Sequence, residues 1–365
     1  MMLRKYLFSK SYFIRLCVAC WSVVCCVGMA NLAHAQVKWQ RIELGAAGAR
    51  YPFAVYGNKP LHGDLKTVRR AVLVFHGMGR NGAGYFAAAH ASLRASGMED
   101  ETLLLAPNYF VAEDGARHDI SGLPLWRDSR WNRGEDAANW PRALSAFEPI
   151  DDLLMLFTDR AKFPALQSVV LAGHSAGGQL VHRYSVLNGV DEKLRAVGVQ
   201  PRYIVANPSS FLYFTNERPV ASSAAFALYD EKLCPGYNDY RYGLQKLPPY
   251  ATDAPPAPQM LFRRYAAREV AVLLGTADID PDHVQLDKSC GAQAGGSNRL
   301  ERGRNYIRHE RHLANTSLVL NRQVFEVIGV AHSQARMFGS TCGARLLFGL
   351  AEQANTTGAA CRAPQ

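Results

Sequence analysis

The run Ser168-Val169-Val170-Leu171-Ala172 passes without a break into Gly173-His174-Ser175-Ala176-Gly177-Gly178, and the residues from Gln179 onward suit a helix. A buried strand that turns at once into a helix must double back within two or three residues. Side chains two before and two after the apex would collide there, so both places need glycine, and Gly173 and Gly177 supply it. Such a turn lifts the apex hydroxyl, that of Ser175, clear of the sheet and aims the next helix N-terminus at it. An ordinary helix N-cap serine would need no partner residues elsewhere, so the rest of the chain decides between the two roles.

Residues 1–35 are set aside first. Arg4, Lys5, Lys10 and Arg15 precede an apolar run from Leu16 to Met29, and Ala33-His34-Ala35 closes it in A-x-A form. This is the pattern of a Sec-type signal peptide cleaved after Ala35. The apolar run is shorter than the roughly 20 residues of a membrane span, and Cys17, Cys20, Cys25 and Cys26 within it follow no lipoprotein pattern. The mature chain, 36–365, is therefore expected in the periplasm or outside the cell, with no stable membrane anchor. Losing the leader removes four cations and no carboxylate, taking the net charge from +10 to +6. With 48% hydrophobic residues the chain can bury a sizeable core.

Four cysteines remain, Cys234, Cys290, Cys342 and Cys361, and an even number in an exported protein suggests two disulfides. Of the three connectivities, Cys342–Cys361 (closing a short C-terminal loop) with Cys234–Cys290 is the expected one. No Cys/His spacing suits zinc, so no metal is expected. Neither a Walker ending nor a full GxGxxG accompanies the glycine-rich stretches, so no cofactor is expected either. Export without a recognition module argues against nucleic acid.

Trp39 to Leu44 and Tyr51 to Tyr56 alternate as opening antiparallel strands do. After a turn region, Ala71-Val72-Leu73-Val74-Phe75 is a continuous apolar run of the kind a buried parallel strand shows. It ends in His76-Gly77-Met78-Gly79-Arg80-Asn81-Gly82-Ala83-Gly84-Tyr85. The pattern then predicts helices over 87–96, 147–160, from 179 and over 299–312, and strands over 102–106, 168–172, 203–206, 270–274 and 323–328. Strands alternating with helices define an α/β class, a mostly parallel central sheet flanked by helices. Ligands of such sheets sit at the carboxyl ends of the strands. Two stretches break the rhythm. Asp114 to Pro141 carries Trp126, Trp131 and Trp140, and 209–268 is rich in Tyr and Pro and reads as an ordered, cap-like insertion.

Two further strand ends carry the partners Ser175 needs. Val270 to Leu274 runs into Gly275-Thr276-Ala277-Asp278, and Val327-Ile328-Gly329-Val330-Ala331 into His332. A serine hydroxyl attacks at neutral pH only if a base takes its proton. His332 suits that base, and Asp278 suits the carboxylate that orients it, with Asp280 and Asp282 as competitors. His309 and His312 look like surface residues of a charged helix, and His174 is expected to point away from the turn. Acyl transfer also needs two N–H donors for the developing oxyanion. Ala176 offers one and Met78 the other, with Gly79 as the alternative.

Together, His76-Gly77-Met78-Gly79 with Tyr85, Gly173 to Gly178, and the order Ser175, Asp278, His332 resemble the α/β-hydrolase-fold serine hydrolases. Secreted polyhydroxyalkanoate depolymerase-like and feruloyl-esterase-like members are the most similar. The resemblance spans roughly residues 68 to 340, and Met78 departs from the HGGG form of the lipases. It implies cleavage of a small or polymeric carboxylic ester through an acyl-enzyme. A peptidase or amidase would use the same parts. Tyr85, Trp126 and Trp131 are candidate substrate contacts, although the tryptophans equally suit a core over the sheet edge. The basic run Arg299 to Arg308 offers a rival reading, a non-catalytic binder of anionic polymers.

Overall fold

The computed structural model describes residues 38–221, 223–251, 257–350 and 358–364. The leader and its cleavage point lie outside them. In chain order the strands are β1 (Gln40–Leu44), β2 (Tyr51–Gly57), β3 (Arg70–Phe75), β4 (Thr102–Asn108), β5 (Ser168–His174), β6 (Gln200–Ala206), β7 (Glu217–Pro219), β8 (Phe226–Leu228), β9 (Glu269–Gly275), β10 (Arg322–Val327) and β11 (Cys361–Arg362). The helices are α1 (Gly82–Ser96), α2 (Glu148–Leu156), α3 (Ala176–Leu187), α4 (Asp191–Ala196), α5 (Pro258–Ala267), α6 (Cys290–Gln293), α7 (Arg299–Ala314), α8 (Gln334–Phe338) and α9 (Thr341–Phe348).

Nine strands form one sheet in the order β1-β2-β4-β3-β5-β6-β9-β10-β11, and β7 pairs with β8 in a separate ribbon. The contiguous strands from β4 to β10 are parallel, while β1, β2 and β11 join antiparallel at the edges. Both faces are dry, and the pleat sorts the side chains between them. Ala71, Leu73, Phe75, Val169, Leu171 and Val205 enter one core, and Val72, Val74, Val170, Ala172 and Ile204 enter the other. This two-sided burial is why the strands read as unbroken apolar runs.

Helix α1 starts at Gly82, five residues before the expected 87, and helices α2 and α5 depart from their sequence expectations for local reasons. The helix predicted to Arg160 stops at Leu156, because the Thr158 hydroxyl donates to Met155 O at 2.7 Å and Asp159 Oδ1 accepts from Ala161 N at 2.9 Å. Helix α5 forms inside the Pro-rich stretch, entered by Pro258 in its first turn, where a missing N–H costs nothing. From the described parts of 209–268, Phe211, Phe214, Phe262 and Tyr265 belong to the core. Trp126 and Trp131 are buried as well, so they do not line a cleft. Trp131 stacks on Tyr109 with ring centroids 5.4 Å apart, and Trp126 meets Phe53 edge-on. Their indoles seal the long 114–141 loop onto the sheet, where apolar area is worth more than at a rim. His309 is likewise fully buried rather than on the surface, packed against Tyr213 and Phe226.

Cys234 is bonded to Cys290 and Cys342 to Cys361, with Cα–Cα separations of 5.7 and 6.0 Å. The first ties the 209–268 stretch to α6, and the second holds edge strand β11 against α9. Closing loops of 56 and 19 residues constrains the unfolded chain. Replacing both cysteines of a pair by serine is expected to lower the unfolding free energy by about 4 kcal/mol for Cys234–Cys290 and about 3 kcal/mol for Cys342–Cys361. Urea denaturation of the purified mature chain measures this, and a loss below about 1 kcal/mol for either pair contradicts it.

Candidate active site

Ser175 sits between β5 and α3 with φ 59° and ψ −120°, a conformation that L-residues rarely adopt. Two hydrogen bonds hold it there: its N–H donates to Ala206 O of the adjacent strand at 3.0 Å, and its carbonyl accepts from Gln179 N at 3.0 Å. The flanking glycines are dictated by contact. A Cβ at Gly173 would overlap the carbonyl of Gly177, and a Cβ at Gly177 would overlap the carbonyls of Phe75 and His76.

His332, in the loop after β10, bridges to both partners. Its Nε2 is 2.8 Å from Ser175 Oγ and its Nδ1 is 2.7 Å from Asp278 Oδ2. An ionised carboxylate only accepts, so Nδ1 carries the proton and Nε2 is left bare to accept the serine proton. Asp280 and Asp282 are exposed further along the same loop. Asp278 Oδ1 accepts in turn from Arg299 Nη1 at 3.3 Å, and Arg299, at the start of α7, is buried. That bond fixes the carboxylate plane, and with it the imidazole.

Two more imidazoles close around His332. The ring of His174 lies 4.5 Å from it and that of His283 5.0 Å, edge-on. His174 therefore faces the site rather than away from it, its ring against that of His332 and lining the same cleft as Ser175. Burial above all, helped by the charge of Arg299 and by His283, lowers the His332 pKa below its ordinary value, against the pull of Asp278. Burial keeps His174 well below the ordinary value too, so it stays neutral beside His332.

The turn after β3 faces the elbow. His76 is buried, and its Nε2 accepts from Tyr109 N at 3.0 Å, so Nδ1 holds the proton and donates to Gly77 O at 2.9 Å. Burial depresses its pKa to about 4, which keeps it the neutral strut this geometry requires. Ala176 is the first residue of α3, so its N–H has no acceptor within the helix. Met78, Tyr85, His174, Ser175 and His332 line a small cleft of about 180 Å³, together with Gln285 and Gln334. Tyr85 reaches His174 Nδ1 at 3.3 Å. Gln285 and Gln334 carry no local signal in the sequence, and Arg299 shows there only as the first residue of a basic run, not as a partner of Asp278.

No family profile matches the sequence, and no curated protein resembles it in sequence. Solved structures do. Poly(aspartic acid) hydrolase-1 from Sphingomonas sp. KT-1 is 22% identical with a TM-score of 0.58, covering 86% of this chain and 99% of its own. LpqC, a poly(3-hydroxybutyrate) depolymerase from Bordetella parapertussis, is also 22% identical with a TM-score of 0.58, covering 87% and 92%. The fold is thus the α/β-hydrolase fold, a mostly parallel sheet covered by helices on both faces.

Because Gly177 rests on two backbone carbonyls that cannot retreat, Gly177→Ala is expected to destabilise the chain on the order of 3 kcal/mol. Gly79→Ala, which would meet only open space, serves as the control. Thermal and urea unfolding measure both, and equal stability of the two variants contradicts the account.

Proposed function

We propose that the protein is an exported serine hydrolase that cleaves carboxylic esters through an acyl-enzyme. The observation that carries this reading is the pair of hydrogen bonds made by His332, 2.8 Å to Ser175 and 2.7 Å to Asp278, on residues from three distant strand ends. Ser175 Oγ attacks the ester carbonyl as its proton passes to His332 Nε2. The imidazolium formed is stabilised by Asp278 and gives that proton to the departing alkoxide. Water, activated by the same base, then attacks the acyl-enzyme and releases the acid. The N–H groups of Ala176 and Met78 take the oxyanion, held in place by helix α3 and by the His76 strut. Two disulfides suit an oxidising compartment, and no helix among the described residues is long and apolar enough to cross a membrane.

The names of the two similar structures cover a polyamide and a polyester, so amide cleavage by the same groups is the nearest alternative. The anionic-polymer binder loses its main support, since Arg299 and Arg302 of the basic run are buried and Arg304 is bound to Glu326 at 2.6 Å.

Hydrolysis of a short chromogenic ester tests the reading. Ser175→Ala is expected to lower kcat by about 10⁴-fold or more, and Asp278→Asn by about 10⁴-fold. A serine-directed phosphonate should add once to the wild-type chain and not to Ser175→Ala. No turnover and no adduct across a panel of esters and amides would sink the proposal.

The pH profile is a separate check. The reaction needs neutral His332, and its folded pKa lies below 6.5. Activity therefore falls progressively as the pH drops through that lowered value and rises as the pH climbs through it. The acid limb of kcat/KM is expected at a midpoint below pH 6.5, so that activity persists in mildly acidic buffer; a midpoint above pH 6.5 contradicts the expectation.

A further inference from the structure

A second cleft, of about 480 Å³, adjoins the catalytic one and shares Met78 and Gln285 with it. Two of its lining residues, Asn132 and Gln179, are hydrogen-bonded to Arg183 of α3, which is fully buried. Arg183 Nη1 donates to Asn132 O and Oδ1 at 2.8 and 3.0 Å, and Nη2 donates to Gln179 Oε1 and Ser210 Oγ at 3.0 Å each. All four acceptors are neutral, and no carboxylate pairs with this guanidinium among the described residues. The cations at the rim differ, since Arg133, Arg241 and Lys288 each face a carboxylate, of Glu135, Asp287 and Asp282.

This arrangement fixes which way two amides point. A guanidinium can only donate, so the oxygens of Asn132 and Gln179 must face Arg183 and their NH₂ groups must face the other way. Both residues line the cleft and are more than nine-tenths buried. Asn132 Nδ2 lies 4.0 Å from Met78 Sδ, at the passage to Ser175. Two lining amides thus offer N–H donors backed by a buried guanidinium that no carboxylate pairs with directly, although Asp287, held by Arg241, and Glu135 lie near enough to act on its charge; such a surface favours an anionic acceptor over an apolar chain.

We infer that this cleft binds a carboxylate group of the substrate, so that the ester cleaved at Ser175 belongs to an acidic molecule. The inference rests on the hydrolase reading above and narrows its substrate class. Asn132 and Gln179 donate to the carboxylate, and Arg183 supplies the compensating charge from behind without touching it.

Two matched pairs of chromogenic esters test this. One carries the carboxylate on the acyl side, mono-4-nitrophenyl adipate against its methyl-capped twin, and the other on the leaving side, 4-acetoxybenzoate against its methyl ester. The wild-type mature chain is expected to prefer the free carboxylate in at least one pair by about tenfold or more in kcat/KM, the scale of one charge-assisted hydrogen bond. The preference should shrink as salt is added. Gln179→Glu gives Arg183 its missing carboxylate while keeping the bond to it, and should bring that ratio to about one or below. Asn132→Asp reads the same effect should that variant fail to fold. Equal rates for both members of both pairs in the wild type overturn the inference while leaving the hydrolase reading intact. So does a preference that survives in a folded Gln179→Glu or Asn132→Asp chain. Absence of turnover on all four esters, together with no phosphonate adduct at Ser175, instead brings down the hydrolase reading and the inference with it.

Discussion

Helix α3 lies directly on the carbonyls of Phe75 and His76, because Gly177 has no side chain to hold it off. That contact couples two otherwise independent pieces of the molecule. On one side is the turn that carries Ser175 in its strained conformation; on the other is the turn after β3 that carries Met78. Local backbone strain of this kind persists only where surrounding bonds over-determine it. Here the β6 carbonyl of Ala206, the first turn of α3 and the buried His76 do so together.

The same logic extends outward from His332. His332 is oriented by Asp278, Asp278 by Arg299, and Arg299 also reaches Ser209 Oγ at 3.2 Å and His283 Nδ1 at 3.4 Å. Burying an arginine is costly unless its donors are used, and these are. A chain of donor–acceptor pairs therefore runs from a helix N-terminus to the serine hydroxyl with each tautomer fixed. Arg183 differs: its Nη1 and Nη2 donate to neutral groups and no carboxylate pairs with it among the described residues, and two of those groups line the neighbouring cleft.

Aromatic residues were harder to read from the sequence than the polar ones. Trp126 and Trp131 have the same composition signature whether they line a groove or seal a loop, and only packing against Phe53, Tyr109 and His76 places them inside. The histidines split in the same way. His332 stands at the end of an apolar run where position alone marks it, whereas the burial of His309 and the stacking of His174 depend on neighbours far away in the chain.

Strand positions, the glycines of the elbow and the junctions bearing Ser175, Asp278 and His332 were legible in the residues themselves. Each reflects a local demand: apolar continuity for a strand buried on both faces, absence of a Cβ at a close approach, and a polar residue at a strand end. The tertiary structure alone decided which loop carboxylate meets His332, that Arg299 stands behind it, and that Arg183 turns two amides toward a cleft. Apart from the Arg183–Gln179 contact within α3, those depend on segments 21 to 54 residues apart in the chain, and side-chain electrostatics acts through space, where sequence separation leaves no trace.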